Sequence, residues 1–202
     1  KKKYSLDLIN FSLVDLENIA CSIACSLELN IKIKDILDSL KKIKKPPGRL
    51  EEVENKDKNF KVYVDYAHTP DALKKVLISQ TINKKKPNVV FGCGGNRDKE
   101  KRTKMGLIAN KYANLIYVTD DNPRHENPEK IRKSILKNCK KGIEIPDRKQ
   151  AIKKAIKDLK KNDILIIAGK GHEKKQINKF SIKLFDDVKI AKRAVGESRE
   201  KL

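Results

Sequence analysis

Three short apolar runs, each broken by a turn of special residues, constrain this chain more than any other feature. Asn88 to Phe91 runs into Gly92-Cys93-Gly94-Gly95, Leu115 to Thr119 into Asp121-Asn122-Pro123-Arg124, and Asp163 to Ala168 into Gly169-Lys170-Gly171-His172-Glu173. Short runs without polar alternation read as strands covered on both faces, the habit of a parallel sheet. Segments of helical period lie between them, so the expected fold class is α/β: a Rossmann-like, mainly parallel sheet with helices on both faces. In such a sheet the turns after the strands line up at the carboxyl edge, where ligands bind. That gathers Arg97, Asp121, Arg124 and Glu173 around one crevice. Cations and carboxylates facing one small volume suit a guest with charges of both signs, such as an amino acid.

Upstream of this region the pattern differs. Leu13, Leu16, Ile19, Ala20, Ile23, Ala24 and Leu27 recur at helical spacing, with Ser12 as an N-cap, and a second short helix is expected over Ile33 to Leu40. Lys41 to Pro47 is a basic linker ending in two prolines, which exclude helix and favour an extended hinge. We therefore place a boundary there, with residues 1–45 as the closing helices of one domain and 46–202 as another. Gly48-Arg49-Leu50-Glu51 follows and reads, from its residues alone, as a surface turn or an anchored arginine.

Phe60 to Asp65 is expected as a strand leading into Asp65-Tyr66-Ala67-His68-Thr69-Pro70-Asp71 and a helix from Asp71 to about Ile82. Thr69 can cap that helix with Pro70 at its first position. A strand ending in Asp beside a helix N-terminus suits a ribose hydroxyl or a phosphate. His68 reads equally as a packed turn residue. Further helices are expected over Lys104–Tyr112, Glu129–Cys139, Arg148–Leu159 and Asp186–Val195, a brief strand at Ile143–Ile145, and a hairpin or edge strand over Gln176–Phe185, with a frayed tail from Gly196.

Composition narrows the partners. Among 202 residues, 48 Lys plus Arg against 27 Asp plus Glu give a net charge of +21. The lysines are scattered in pairs through every segment, which reads as a compositional preference rather than a polyanion surface, and no specific nucleic acid is expected. The four cysteines, Cys21, Cys25, Cys93 and Cys139, lack metal-ligand spacing. Cys21 and Cys25 stand one turn apart in an apolar stripe and are expected as buried free thiols in a reducing, cytoplasmic setting. No apolar run is long enough to span a bilayer. The chain starts in mid-pattern without Met and reads as a piece of a longer protein.

Taken together, Pro47-Gly48-Arg49-Leu50-Glu51, Asp65 to Asp71, Phe91 to Lys99, Thr119 to Arg124 and Ala168 to Glu173 resemble, in order and spacing, the C-terminal part of the Mur ligases. Within that family the likeness is to the branch carrying Asp-Asn-Pro-Arg, which selects meso-diaminopimelate where lysine-adding relatives lack the arginine. The resemblance implies an ATP-dependent ligase that joins meso-diaminopimelate to UDP-N-acetylmuramoyl-L-alanyl-D-glutamate through an acyl phosphate, with ATP and Mg²⁺. It implies an amino-acid pocket of Arg97, Asp121, Asn122, Pro123, Arg124, Gly169 and Glu173. On the ATP side it implies Arg49 near the phosphates, Asp65 on the ribose, and His68 beside them without an assigned contact; Lys170 has no assigned role. No residue here matches the Gly-Lys-Thr phosphate loop or the magnesium-holding modified lysine, and the UDP-sugar domain has no counterpart. Residues 1–45 would be the last helices of the central ATP-binding domain, and the segment alone would not catalyse. A lysine-adding ligase and a folylpolyglutamate synthetase are the rival ligases, and a basic nucleic-acid module is the rival from another class.

Overall fold

The computed structural model describes residues 5, 11, 13–55 and 59–197. The chain separates into two compact units at Pro46 and Pro47. In the first, helices α1 (Leu13–Glu28) and α2 (Ile33–Leu40) pack through Ile19, Ile36 and Leu40, with Phe11 and Ile23 against them. Cys21 and Cys25 are exposed, contrary to the sequence expectation. Each lies two positions after a core-facing isoleucine, about 200° around the helix, so the thiols form a stripe of their own opposite Ile19 and Ile23. The proposed cap at Ser12 lies outside the described residues.

The second unit runs β1 (Glu51–Val53), β2 (Lys61–Asp65), α3 (Pro70–Ser79), β3 (Asn88–Phe91), α4 (Glu100–Tyr112), β4 (Ile116–Val118), α5 (Pro128–Leu136), β5 (Gly142–Glu144), α6 (Arg148–Lys157), β6 (Ile164–Ala168), β7 (Lys175–Asn178), β8 (Ser181–Leu184) and α7 (Asp187–Glu197). Six strands make one sheet in the order β1-β2-β6-β3-β4-β5. Only β1 is antiparallel; β2, β6, β3, β4 and β5 run parallel. The apolar strand β6 sits between β2 and β3, as its composition requires, with Val64 opposite Ile167 and Val90 opposite the same residue.

Strand alternation sends side chains to two cores. Val89, Phe91, Ile116 and Val118 meet Leu73, Leu77, Met105 and Ile135 of α3, α4 and α5. Val90, Tyr117, Leu165 and Ile167 meet Ile152, Ile156, Ala191 and Val195 of α6 and α7. Each such buried side chain contributes roughly 1.5–3 kcal/mol, and the paired layers are what hold the strand ends, and so the loops, in register.

Local differences from the sequence reading have local causes. Helix α4 begins at Glu100 after N-cap Lys99, and Asp98 Oδ1, one residue earlier, accepts from the first amides, those of Glu100 and Lys101, which apolar periodicity does not reveal. Strand β1 at the sheet edge is not expected from the sequence, where of its residues only Glu51 is assigned, to a turn. Of the two alternatives for the segment after Glu173, the structure shows the hairpin, β7-β8, as a sheet of its own. Helix α7 continues through Glu197, beyond the expected fraying point at Gly196.

Between α6 and α7, Arg148 and Asp187 form a fully buried bidentate pair at 2.7 and 2.9 Å, and Arg148 Nη2 also donates to Ala168 O at 3.0 Å, at the very end of β6. Removing one member of such a pair strands a charge. Asp187→Ala should lower unfolding free energy by about 3–5 kcal/mol in a urea titration, and a loss below about 1 kcal/mol would contradict the buried pair. Burial pushes the Cys93 thiol up to about 12 and that of Cys139 to about 11. A thiol reagent at neutral pH should therefore label Cys21 and Cys25 in the native protein and reach the other two only on denaturation, which mass spectrometry reads directly.

Candidate functional site

The loops after β3 and β4 touch backbone to backbone. Gly95 N donates to Asn122 O at 2.9 Å, and a Cβ on Gly95 would lie 1.9 Å from Pro123 O, so only glycine fits there. His125 N donates to Asn96 Oδ1 at 3.0 Å, and Asn96 N donates to Glu126. Arg102, buried on α4, grips both oxygens of Glu126 at 2.9 and 3.0 Å and donates to Gly94 O at 3.3 Å. Asn96 and Arg124 both sit at φ 52°, a left-handed conformation costing non-glycine residues about 1–3 kcal/mol. The network of loop contacts holds them there.

This clamp brings two arginines together. Arg124 Nη1 donates to Gly95 O at 2.9 Å, and a Cβ built on Gly94 would meet that same nitrogen at 2.7 Å and Arg97 Cγ at 3.8 Å. Arg124 N donates to Ile177 O at 3.0 Å, tying the loop to β7. Among the described residues, neither Arg97 nor Arg124 pairs with a carboxylate, whereas the buried arginines 102, 132 and 148 all do.

Glu173 closes the other side. Asn122 Nδ2 donates to Glu173 Oε2 at 3.0 Å, while Asn122 Oδ1 accepts from Lys170 Nζ at 2.9 Å and Ile177 N at 3.0 Å. Glu173 Oε1 takes no hydrogen bond from the described residues. The other residues of the expected pocket play supporting parts. Pro123 is buried, Gly169 turns the chain at φ 115°, and Asp121, only 9% exposed, packs its Oδ2 2.9 Å from where a Gly169 Cβ would stand. Asp121 thus lies beneath the turn rather than at the crevice surface.

The expected nucleotide residues form a second group. Both Asp65 oxygens accept backbone amides, from Leu50 and Ala67 at 2.8 Å each, which fixes the Gly48–Leu50 loop against β2. Arg49 lies over the Tyr66 ring at 4.9 Å, and the Tyr66 ring stands 4.6 Å from His68 and 5.1 Å from His172. His68 Nδ1 is 2.8 Å from Tyr66 O. The result is an exposed shelf of one cation and three rings. Tyr66 and His172 went unremarked in the sequence, although both stand inside motifs that were read. Arg102 and Glu126 carried no signal, since 24 residues separate partners that only the fold joins.

No group of three or more His, Cys, Asp or Glu side chains able to hold a metal is found among the described residues, so the expected Mg²⁺ is assigned to no residue here. Nor is any described helix long and apolar enough to cross a membrane.

The profile of the family described as Mur ligase, glutamate ligase domain, matches residues 48–171. The chain belongs to the Mur ligase family. A Rickettsia conorii relative, UDP-N-acetylmuramoyl-L-alanyl-D-glutamate–2,6-diaminopimelate ligase, is 48% identical over 166 residues, which is 80% of this chain and 34% of the relative. A Buchnera aphidicola protein of the same name is 45% identical over 185 residues, 89% of this chain and 36% of that one. A solved structure of a ligase with that name superimposes with a TM-score of 0.71 at 32% identity, covering 97% of this chain and 41% of the other. The chain thus spans about a third of the length of the Mur ligases it matches in sequence. Every strand-end loop described above except the last two residues of Gly169–Glu173 falls inside the matched 48–171 segment.

Hydrogen bonding to Arg102, more than any other influence, holds the Glu126 carboxyl below its ordinary value of 4.5. A depressed carboxylate stabilises the fold above its unfolded pKa, and that contribution is lost as pH falls through the lowered folded value. Acid titration of the amide signals of Asn96 and His125 should therefore show a transition below pH 4.5 that Glu126→Gln removes; an identical acid response in the variant would contradict the clamp.

Proposed function

We propose that this chain is the part of a Mur ligase that selects the incoming amino acid, meso-diaminopimelate, and presents its amine for addition to UDP-N-acetylmuramoyl-L-alanyl-D-glutamate. What supports this reading most is that, among the described residues, the guanidinium groups of Arg97 and Arg124 have no carboxylate partner and Glu173 Oε1 has no donor, on loops at the same edge of the sheet. Meso-diaminopimelate carries an ammonium and a carboxylate at each end. The far carboxylate suits the Nε and Nη2 edge of Arg124, which is unoccupied among the described residues while Nη1 holds Gly95 O and Asn122 O, and which can bind such a group bidentately. Lysine would bring an ammonium to the same cation and be repelled. Glu173 Oε1 accepts from an ammonium of the guest, and Arg97 adds a second cation for a carboxylate.

In the proposed reaction ATP phosphorylates the D-glutamyl γ-carboxylate, and the amine of the bound diaminopimelate displaces phosphate to form the amide. This chain's part is to hold that amine in place, an effect of orientation worth several orders of magnitude in rate. The shelf of Arg49, Tyr66, His68 and His172, anchored through Asp65, is assigned to the nucleotide, with the guanidinium toward phosphate and the rings toward the base. Phosphoryl chemistry, the UDP-sugar and Mg²⁺ are assigned to parts of the parent ligase outside this chain.

In the longer ligase that contains this chain, kcat/KM should favour meso-diaminopimelate over lysine, and comparable values would overturn the assignment. Arg124→Ala should raise KM for diaminopimelate by about 30-fold, corresponding to ~2 kcal/mol for a desolvated ion pair. Gly94→Ala, whose new methyl would meet Arg124 Nη1 at 2.7 Å, should raise it in the same direction with cooperative unfolding retained. An unchanged KM in Arg124→Ala would exclude the pocket.

A further inference from the structure

Among the described residues one lysine, Lys170, is buried, and it is not among the residues assigned to a ligand. Lys170 is 0% exposed and stands two residues after the end of β6. Its Nζ reaches Asn122 Oδ1 at 2.9 Å and Glu173 Oε2 at 3.2 Å, so it joins the loop after β4 to the loop after β6. Its bond to Asn122 also decides which way that amide faces. With Oδ1 taken by Lys170 and by Ile177 N, the amide must present Nδ2, and it presents it to Glu173 Oε2 at 3.0 Å. One carboxylate oxygen therefore takes two inner donors, and the other is turned outward.

We infer that Lys170 is a positioning residue for the amino-acid site, its buried ammonium fixing Asn122 and Glu173 so that Glu173 Oε1 faces the ammonium of the guest. The inference rests on the proposed amino-acid site and deepens it. Stability alone does not explain this lysine. A buried ion pair gives little net stability, and an apolar side chain of similar volume usually serves the fold as well or better. Both of Lys170's partners are instead residues assigned to the ligand. A second cation, Arg148, lies below the same turn, where the carboxylates of Asp187, Asp121 and Glu173 all act on it, but its bidentate bond is to Asp187. Of these two cations it is Lys170 that hydrogen-bonds Glu173.

The test uses the longer ligase with meso-diaminopimelate, comparing Lys170→Met, Lys170→Gln, Glu173→Gln and the Lys170→Met/Glu173→Gln double variant. Lys170→Met should keep its melting temperature and its KM for ATP, keep kcat within about threefold, and raise KM for diaminopimelate about tenfold or more; Lys170→Gln, which retains a donor to Asn122, should fall between it and the parent. In the Glu173→Gln background, Lys170→Met should add less than about threefold, because the two act through one carboxylate. The inference is overturned if Glu173→Gln raises KM while both Lys170 variants leave it unchanged. It is also overturned if the effects of Lys170→Met and Glu173→Gln simply multiply, or if both Lys170 variants lose cooperative unfolding, which would make Lys170 a residue of the fold. If Glu173→Gln and Arg124→Ala themselves leave KM unchanged, the amino-acid site fails and the inference with it.

Discussion

The approach of the Gly95 backbone to that of Asn122 and Pro123 is the constraint on which the rest of this site depends. At 2.9 Å between Gly95 N and Asn122 O there is no room for any side chain. Because the two loops meet there, one on each of two adjacent parallel strands, the residues that flank the contact are brought together whatever their separation in the chain. Arg124 bonds the carbonyls of Gly95 and Asn122, Arg97 follows on the first loop, and the Asn122 side chain reaches Glu173. The left-handed backbone at Asn96 and Arg124 is the local cost of this arrangement. It is offset by hydrogen bonds that end on backbone atoms of the opposing loop, and by the Arg102–Glu126 pair that braces them from below.

Charge is distributed in this domain according to whether it serves the fold or is left for a guest. Arg102, Arg132 and Arg148 are buried, and each is held by carboxylates. A guanidinium in such a place needs its partners, since an unpaired one costs far more than the pair returns. Arg97 and Arg124 have only neutral carbonyls or solvent, among the described residues, while remaining open to a ligand. The same division separates the carboxylates. Asp187 and Asp65 are engaged by protein donors on both oxygens, whereas Glu173 is engaged on one. Cations and a carboxylate oxygen left open in this way suit the zwitterion of the proposed function better than a simple anion or cation.

Much of this was legible in the residues because the fold is regular. Strands buried on both faces cannot hide their apolar character, so β3, β4 and β6 announced a parallel sheet, and with it the loops at the carboxyl edge that carry Arg97, Arg124 and Glu173. What was not legible depended on pairs remote in sequence. No local pattern tells that Arg102 will meet Glu126, that Tyr66 will carry Arg49, His68 and His172 around it, or that Asp121 will be buried against Gly169. The error at Cys21 and Cys25 came from counting apolar residues along α1 without following the helix around its axis.

The central claim is that Arg97, Arg124 and Glu173 grip one guest of mixed charge. A crystal structure of the longer ligase with bound meso-diaminopimelate tests it most directly. The account predicts one carboxylate of the ligand in the fork of Arg124 and an ammonium within hydrogen-bonding distance of Glu173 Oε1, with the Gly95–Asn122 contact unchanged. A ligand whose far carboxylate lies away from Arg124, or whose ammonium groups are held by other residues, would contradict it.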